Sequence, residues 1–261
     1  MRLRYDERGT GEVVYLVHAG MHSAWFGPLF DEPALDPFRV IKPIRPGYGG
    51  NPGPDEKASI AAHARSCGEL LRELGVERAH WVGHSSSCCM GLQLALDSPD
   101  LVASLILFEP ARPSGKVREA HSGTYVAPAM KAAAQGDIAG AFDAFLRGVG
   151  GDGYREQLHK VLGDEGLAAA ERESAYFFAD EMPALGAWSF GPDEAARVTA
   201  PALVVRGAET HPLFQDNVEI LAGMLPNARI ATLPGVTHLA PFTHPALAAT
   251  MIAEFVSSTK G

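Results

Sequence analysis

The sequence predicts an α/β protein in which a mostly parallel sheet is flanked by helices and interrupted by a helical insertion. Short, continuously apolar runs such as 13–17 have the composition of strands buried on both faces. These runs alternate with longer helical stretches at both ends of the chain, as they do in parallel sheets. Between residues 111 and 196 the alternation stops, and the signals there are mostly helical.

The N-terminal part contains four predicted strands, at 13–17, 40–44, 79–82 and 105–108. Residues 59–74 are predicted to form a helix, since Ser59 is a suitable N-cap and Gly75 a suitable stop. A second helix is predicted at 88–96, directly after the third strand and a sharp turn.

Helices dominate the predicted insertion, at 127–135, 138–147, 155–162 and 167–178, with a loop at 148–153. Strand and helix then alternate again, with predicted elements at 202–205, 215–225, 229–233 and 245–256. The predicted domains are therefore a core of residues 1–110 and 197–261 and a helical cap of residues 111–196.

Composition restricts the classes of partner. The 261 residues are 46% hydrophobic and carry a net charge of −9, which argues against binding to nucleic acid or to an anionic membrane. No apolar run reaches the roughly 18 residues of a membrane span, and the N-terminus lacks an apolar signal core. Three cysteines, two of them adjacent, form neither a disulfide framework nor a zinc motif. We expect a cytoplasmic protein with a small-molecule partner; whether it forms a homo-oligomer is left open.

The turn after the strand at 79–82 reads Gly-His-Ser-Ser-Ser, from Gly83 to Ser87. A strand, a sharp turn with a central serine and a helix form a nucleophile elbow, which exposes the serine hydroxyl at the carboxyl end of the strand. We therefore predict Ser85 as a catalytic nucleophile and the amide of Ser86 as an oxyanion donor. Ser87 stands where a second glycine is usual, but serine is small enough to keep helix and strand close.

A serine nucleophile needs a base, and a histidine base needs a carboxylate to orient it. His238 follows the last predicted strand, which places it at the same sheet edge as Ser85. Glu109 and Glu209 each follow a predicted strand and compete for the acid. Glu109 is favoured because it needs no loop to reach the edge, and Pro110 predicts extended backbone at Glu109.

The loop after the first apolar strand is predicted to complete the oxyanion hole. It begins His-Ala-Gly-Met, and its glycine allows close approach of a ligand, so Gly20 or Met21 is the expected donor. Side chains in neighbouring loops and in the predicted cap are candidate pocket residues: His18, His22, Trp25, His84, Phe178 and Trp188. Their aromatic character favours an apolar or aromatic substrate.

Taken in order, these segments resemble the α/β-hydrolase fold family over essentially the whole chain. The matching stretches are residues 17–20, 45–50, 83–87, 107–110, 201–207 and 234–238. Members usually carry an aspartate where this chain has Thr210, which cannot ionise. Some members place a glutamate after the earlier strand instead, which implies Glu109 as the acid. The family's dehalogenases and epoxide hydrolases use an aspartate nucleophile, so Ser85 argues against both chemistries.

The expected reaction is transfer of an acyl group from a carboxylic ester or lactone to Ser85, followed by hydrolysis. These steps require no metal and no organic cofactor. Hydrolysis of a carbon–carbon bond on the same triad is an alternative within enzymes. A binding or receptor protein that keeps the fold with little or no turnover is the alternative outside them.

Overall fold

The sheet has seven strands in the order β1-β3-β2-β4-β5-β6-β7 in a computed structural model that describes residues 3–111, 123 and 125–259. The strands are β1 (Tyr5–Arg8), β2 (Val13–Val17), β3 (Arg39–Pro43), β4 (Ala79–His84), β5 (Val102–Phe108), β6 (Ala202–Gly207) and β7 (Ala228–Leu233). Strand β1 pairs antiparallel with β3, and the other described neighbours pair parallel. The predicted α/β class is confirmed. Strand β1 was not predicted, because its charged residues lack an apolar pattern.

Helices flank this sheet. Those before the insertion are α1 (Gly27–Phe30), α2 (Ile60–Glu73) and α3 (Ser86–Asp97). The helical insertion, residues 125–197, contains α4 (Val126–Ala134), α5 (Ile138–Gly150), α6 (Tyr154–Tyr176), α7 (Met182–Ala187) and α8 (Pro192–Arg197). The last helices are α9 (Pro212–Met224), α10 (Ala240–Thr243) and α11 (Pro245–Ser258). Parts of the predicted core and cap, at 1–2, 112–122, 124 and 260–261, lie outside the described residues.

Helix α2 begins and ends as the sequence predicts. The Ser59 hydroxyl accepts a hydrogen bond from the amide of Ala62 at 3.0 Å, which satisfies a donor of the first turn. Gly75 follows the helix with a φ of +67°, a left-handed conformation in which a glycine ends a helix at little cost.

One loop of the insertion differs from the prediction. The loop predicted at 148–153 is wrong for its first part, because α5 continues to Gly150. A Cβ atom on Gly148 would lie 2.2 Å from Cβ of Tyr125, so the glycine permits close packing rather than a turn. The helices predicted at 155–162 and 167–178 correspond to two helical segments of α6, which are separated by a kink with non-helical backbone at Gly163. A π-helical turn, Phe177–Glu181, follows it.

The sheet positions its carboxyl ends along one edge. His84 pairs with Phe108, which in turn pairs with Val205, while Gly207 pairs with Leu233. Strands β4 to β7 therefore end side by side, and the residues that follow them meet in space. Across the described ranges, the helices are too short or too polar to cross a membrane.

Candidate active site

Ser85 lies in a strained turn between β4 and α3. Its φ and ψ are 54° and −116°, in a region that non-glycine residues rarely adopt. Its amide donates to the carbonyl of Phe108 at 2.9 Å, and its own carbonyl accepts from the amide of Cys88 at 3.2 Å. These bonds maintain the turn, and the serine is half-buried.

Glycines allow α3 to begin directly against β4. A Cβ on Gly91 would lie 2.5 Å from the Trp81 ring, and one on Gly83 would lie 3.0 Å from the amide nitrogen of Cys88. The Trp81 indole N–H donates to the carbonyl of Ser87 at 3.1 Å. The indole thereby ties β4 to the first turn of α3.

Ser87, the residue outside the usual motif, is fully buried and bonded to the elbow. Its hydroxyl accepts from the amide of His84 at 2.8 Å and lies 2.7 Å from the carbonyl of Val17. The hydroxyl thus links the elbow to β2, a contact that a glycine could not make.

We expect Ser87→Ala to lower the free energy of unfolding by about 1–3 kcal/mol, because it removes the hydroxyl that bonds the buried His84 amide and the Val17 carbonyl. Urea denaturation of both proteins measures the loss. Ser66→Ala is the control, since its hydroxyl only bonds a carbonyl within its own helix, and we expect a change of about 0.5 kcal/mol or less. Equal stabilities for wild type and Ser87→Ala would contradict the structural role.

Glu109 and His238 meet at the carboxyl edge of the sheet. Nδ1 of His238 lies 3.3 Å from Oε2 of Glu109, and both side chains are buried. Thr210 donates to the same carboxylate oxygen at 2.5 Å, and the amide of Gly207 donates to the other oxygen. Thr210 therefore occupies the usual acid position as a hydrogen-bond donor to Glu109. Glu209 is exposed in the turn after β6.

The backbone of Glu109 is not extended, and the prediction from Pro110 is wrong. Its φ is +49°, and its amide donates to the carbonyl of Val205 at 2.7 Å, so tertiary contacts override the local preference. In the described part of the chain, the non-glycine residues with positive φ are Met21, Ser85 and Glu109. All three belong to the predicted site, and strained backbone of this kind clusters at functional sites.

Burial sets the protonation of this pair. It raises the pKa of Glu109 to about 7, although hydrogen bonds from Thr210 and Gly207 act in the opposite direction. Burial lowers the pKa of His238 to about 3, so the imidazole is neutral near pH 7. The ring of Phe214 stacks on His238 at 3.9 Å. The histidine is thus held as a free base beside the carboxyl group.

The predicted oxyanion loop presents two amides to hydroxyl groups. Gly20 donates to the Ser86 hydroxyl at 3.0 Å, and Met21 donates to the Tyr48 hydroxyl at 3.4 Å. The indole of Trp25 donates to the carbonyl of Gly20 at 2.5 Å. The amide of Ser86 is in the first turn of α3, where it has no acceptor within the helix.

The predicted pocket histidines have defined structural partners. His18 donates from Nδ1 to the carbonyl of Ala19 at 2.7 Å and accepts the amide of Arg45 at Nε2, at 3.1 Å. His22 lies 3.0 Å from the carboxylate of Glu173. His84 donates to the backbone carbonyl of His238 at 2.8 Å, while its other ring nitrogen is buried without a hydrogen bond.

The predicted pocket aromatics also contact protein groups. Phe178 packs edge-on against Phe177, with ring centroids 5.2 Å apart. Trp188 stacks on Phe190 and donates to Gln93 at 2.7 Å. A role for these side chains in lining a substrate pocket stays a prediction.

A buried ion pair beside the oxyanion loop was not predicted. The guanidinium of Arg45 contacts both carboxylate oxygens of Glu181 at 3.1 to 3.2 Å, and neither side chain is exposed. No sequence signal marks Glu181, because it lies in the insertion 136 positions from Arg45. Within the described ranges, no three His, Cys, Asp or Glu side chains are grouped to hold a metal ion.

Several curated proteins are similar in sequence to the chain. A fluoroacetate dehalogenase from Burkholderia sp. is 29% identical over 97% of this chain and 89% of that protein. A 2-hydroxy-6-oxo-6-phenylhexa-2,4-dienoate hydrolase from Comamonas testosteroni is 32% identical, over 41% of this chain and 40% of that protein. In a further curated match the chain spans 30% of the relative's length.

A solved structure of a thermophilic esterase from Thermogutta terrifontis superposes with a TM-score of 0.79 at 22% identity. The superposition covers 99% of this chain and 94% of the esterase, and at this identity it shows a shared fold. Residues 12–245 match the sequence profile of the alpha/beta hydrolase fold. The chain therefore belongs to the alpha/beta hydrolase family.

Proposed function

We propose that the protein is a serine hydrolase that cleaves a carboxylic ester or lactone through an acyl-enzyme intermediate. The observation that carries the proposal is the placement of the Ser85 elbow and the bonded His238–Glu109 pair at one edge of the sheet. Serine, imidazole and carboxylate in such a setting are the groups that acyl transfer requires.

In the proposed reaction, Nε2 of His238 takes the proton of the Ser85 hydroxyl as its oxygen attacks the carbonyl carbon. His238 then donates that proton to the leaving alcohol oxygen as the tetrahedral intermediate collapses. Water, deprotonated by His238, attacks the acyl-enzyme, and the acid product leaves as Ser85 regains its proton. Glu109 accepts a hydrogen bond from Nδ1–H of His238 and stabilises the imidazolium.

The developing oxyanion would bind the amides of Ser86 and of Gly20 or Met21. The amide of Gly20 donates to a neutral hydroxyl in the present conformation. An oxyanion is a stronger acceptor than a neutral oxygen, so this N–H would bond to it as negative charge develops, shared with the Ser86 hydroxyl in a three-centre hydrogen bond. Stabilisation that grows toward the transition state raises kcat.

We also propose that the helical insertion is a cap over this site. Its π-helical turn carries Phe177, whose side chain would lie 2.3 Å from a Cβ atom on Gly20, so the insertion packs directly on the oxyanion loop. Phe145, Phe177 and Phe178 form an aromatic cluster in the insertion. Such a cluster supports an apolar or aromatic small-molecule substrate.

Cleavage of a carbon–carbon bond is the second candidate, and the Comamonas testosteroni relative favours it. The same triad would serve both reactions, so product analysis has to separate them. Carbon–halogen cleavage is not proposed, despite the dehalogenase relative, because Ser85 replaces the carboxylate nucleophile of that chemistry.

Labelling with a fluorophosphonate tests the proposal. We expect a covalent adduct on Ser85 of the folded protein, located by peptide mass spectrometry, and turnover of aryl esters or lactones. Folded protein that forms no adduct and hydrolyses no ester, lactone or diketone would support a binding protein with this fold and overturn the enzymatic assignment.

We expect kcat/KM for a neutral aryl ester to fall as pH drops below about 7. The carboxyl of Glu109, whose pKa burial raises to about 7, then gains a proton and no longer stabilises the imidazolium. His238 stays neutral over this range, since burial lowers its pKa to about 3. A pH–rate profile measures the effect, and an acid limb near the ordinary pKa of a glutamate would contradict it.

A further inference from the structure

A single buried carboxylate, that of Glu181, lies next to the hydroxyl groups to which the two amides of the predicted oxyanion loop donate. The Tyr48 hydroxyl accepts from the amide of Met21 and donates to Oε2 of Glu181. The Ser86 hydroxyl accepts from the amide of Gly20 at 3.0 Å, and its interaction with the Glu181 carboxylate helps to lower the pKa of Glu181. Each loop amide thus donates to a hydroxyl group that interacts with Glu181.

Glu181 is held in a charged state. Burial raises its pKa, but the Arg45 guanidinium, His63 and hydrogen bonds from Ser86 and Tyr48 together bring it below the ordinary value. An ionised carboxylate accepts hydrogen bonds and cannot donate them. It therefore orients both hydroxyl hydrogens toward itself and leaves the hydroxyl lone pairs for the two amides.

Arg45 connects the same carboxylate to the backbone of the loop. Its Nε donates to the carbonyl of His18 at 2.9 Å, while its two terminal nitrogens contact Glu181. Met21, three residues after His18, has a φ of +73°. A non-glycine residue keeps such a conformation only where surrounding contacts determine it.

We propose that Glu181, supplied by the insertion, is a positioning residue that sets the geometry of the oxyanion donors Gly20 and Met21. This inference rests on the proposed function. It means that packing of the insertion on the core helps to form the catalytic site, because the loop amides are oriented through Glu181, which belongs to the insertion.

Glu173 provides a matched control. It belongs to the same insertion and also bonds core loops, at the Ser23 amide (2.7 Å), the Ser23 hydroxyl (3.0 Å), Nδ1 of His22 (3.0 Å) and the Gly49 amide (3.1 Å). None of these groups is one of the two oxyanion donors. Glu173→Gln therefore weakens docking of the insertion without removing the connection to Gly20 and Met21.

The experiment compares Glu181→Gln and Glu173→Gln in the hydrolysis of an aryl ester. We expect Glu181→Gln to lower kcat by about 100-fold with KM within about twofold, since misplaced catalytic groups cost rate rather than substrate binding. We expect Glu173→Gln to keep kcat within about twofold of wild type. Inhibition by an aryl trifluoromethyl ketone, whose adduct places an oxyanion on the same amides, should weaken in parallel with kcat.

Tyr48→Phe is the second variant, because Glu181→Gln leaves the buried Arg45 charge without a counter-ion and can fail to fold. The phenylalanine keeps the ion pair and removes one hydroxyl from the relay. We expect kcat to fall by about tenfold, with KM and the melting temperature close to wild type.

The outcomes separate the two claims. Active wild type with unchanged kcat and ketone affinity in Tyr48→Phe and in folded Glu181→Gln overturns the positioning role and leaves the proposed function standing. Equal kcat losses in Glu181→Gln and Glu173→Gln also overturn it, since general docking would then explain the effect. Wild type without turnover or fluorophosphonate labelling overturns the proposed function, and the positioning role with it.

Discussion

Ser85→Ala is expected to lower ester hydrolysis by about 10⁶-fold while the protein keeps its fold, since loss of the nucleophile removes the covalent route. The elbow does not depend on the hydroxyl. Its turn is maintained by backbone bonds from Ser85 to Phe108 and Cys88, which alanine also makes. Steady-state kinetics and circular dichroism measure activity and folding on the same preparation.

Ser98→Ala is a suitable comparison, because Ser98 lies at the opposite end of α3 from Ser85 and contacts Arg72. We expect it to keep full activity and full fluorophosphonate labelling. If Ser85→Ala retained turnover, or if the label in wild type were found on another serine, the assignment of the nucleophile would be wrong.

Glu109→Gln is expected to lower kcat by about 10⁴-fold, because an amide can hold the wrong tautomer of His238 and cannot stabilise the imidazolium. Glu209→Gln should leave kcat within about twofold of wild type, since Glu209 is exposed in the turn after β6. Steady-state kinetics of the two variants on one ester compares the candidates directly. A larger loss in Glu209→Gln would show that the acid had been assigned to the wrong strand.

A double variant sharpens this test. The Thr210 hydroxyl lies 2.5 Å from Oε2 of Glu109, so the carboxylate of an aspartate at position 210 would lie close to the position that the Glu109 carboxylate occupies. We expect Glu109→Gln combined with Thr210→Asp to recover part of the activity that Glu109→Gln loses. Thr210→Asp alone should be impaired, because two carboxylates would then share one buried site. No recovery in a folded double variant would contradict this placement of the carboxylate.

Local sequence patterns predict part of the fold. The buried strands appeared as apolar runs, and the elbow as a serine between a strand and a helix. Because parallel strands end at one edge, the order of these segments also indicated that Ser85, Glu109 and His238 would lie close together. The structure places Glu109 against His238.

The rest depended on contacts between distant residues. The chain at Glu109 adopts a positive φ against the preference imposed by Pro110, because bonds to Val205 and Gly207 determine it. Gly148 lies within α5 and packs against Tyr125, a contact that no local pattern in the sequence indicates. Glu181 could not be identified, since only the folded insertion brings it to Arg45.

Trp81 gives the elbow an intrinsic fluorescence signal. Its indole is buried, fills the space beside Gly83 and Gly91, and bonds the first turn of α3. Emission from a tryptophan shifts to longer wavelength when water reaches the ring. In a variant with Trp25 and Trp188 replaced by phenylalanine, the emission of Trp81 would report the exposure of the nucleophile turn to water. Comparison with unfolding measured by circular dichroism would show whether this turn opens before the sheet unfolds.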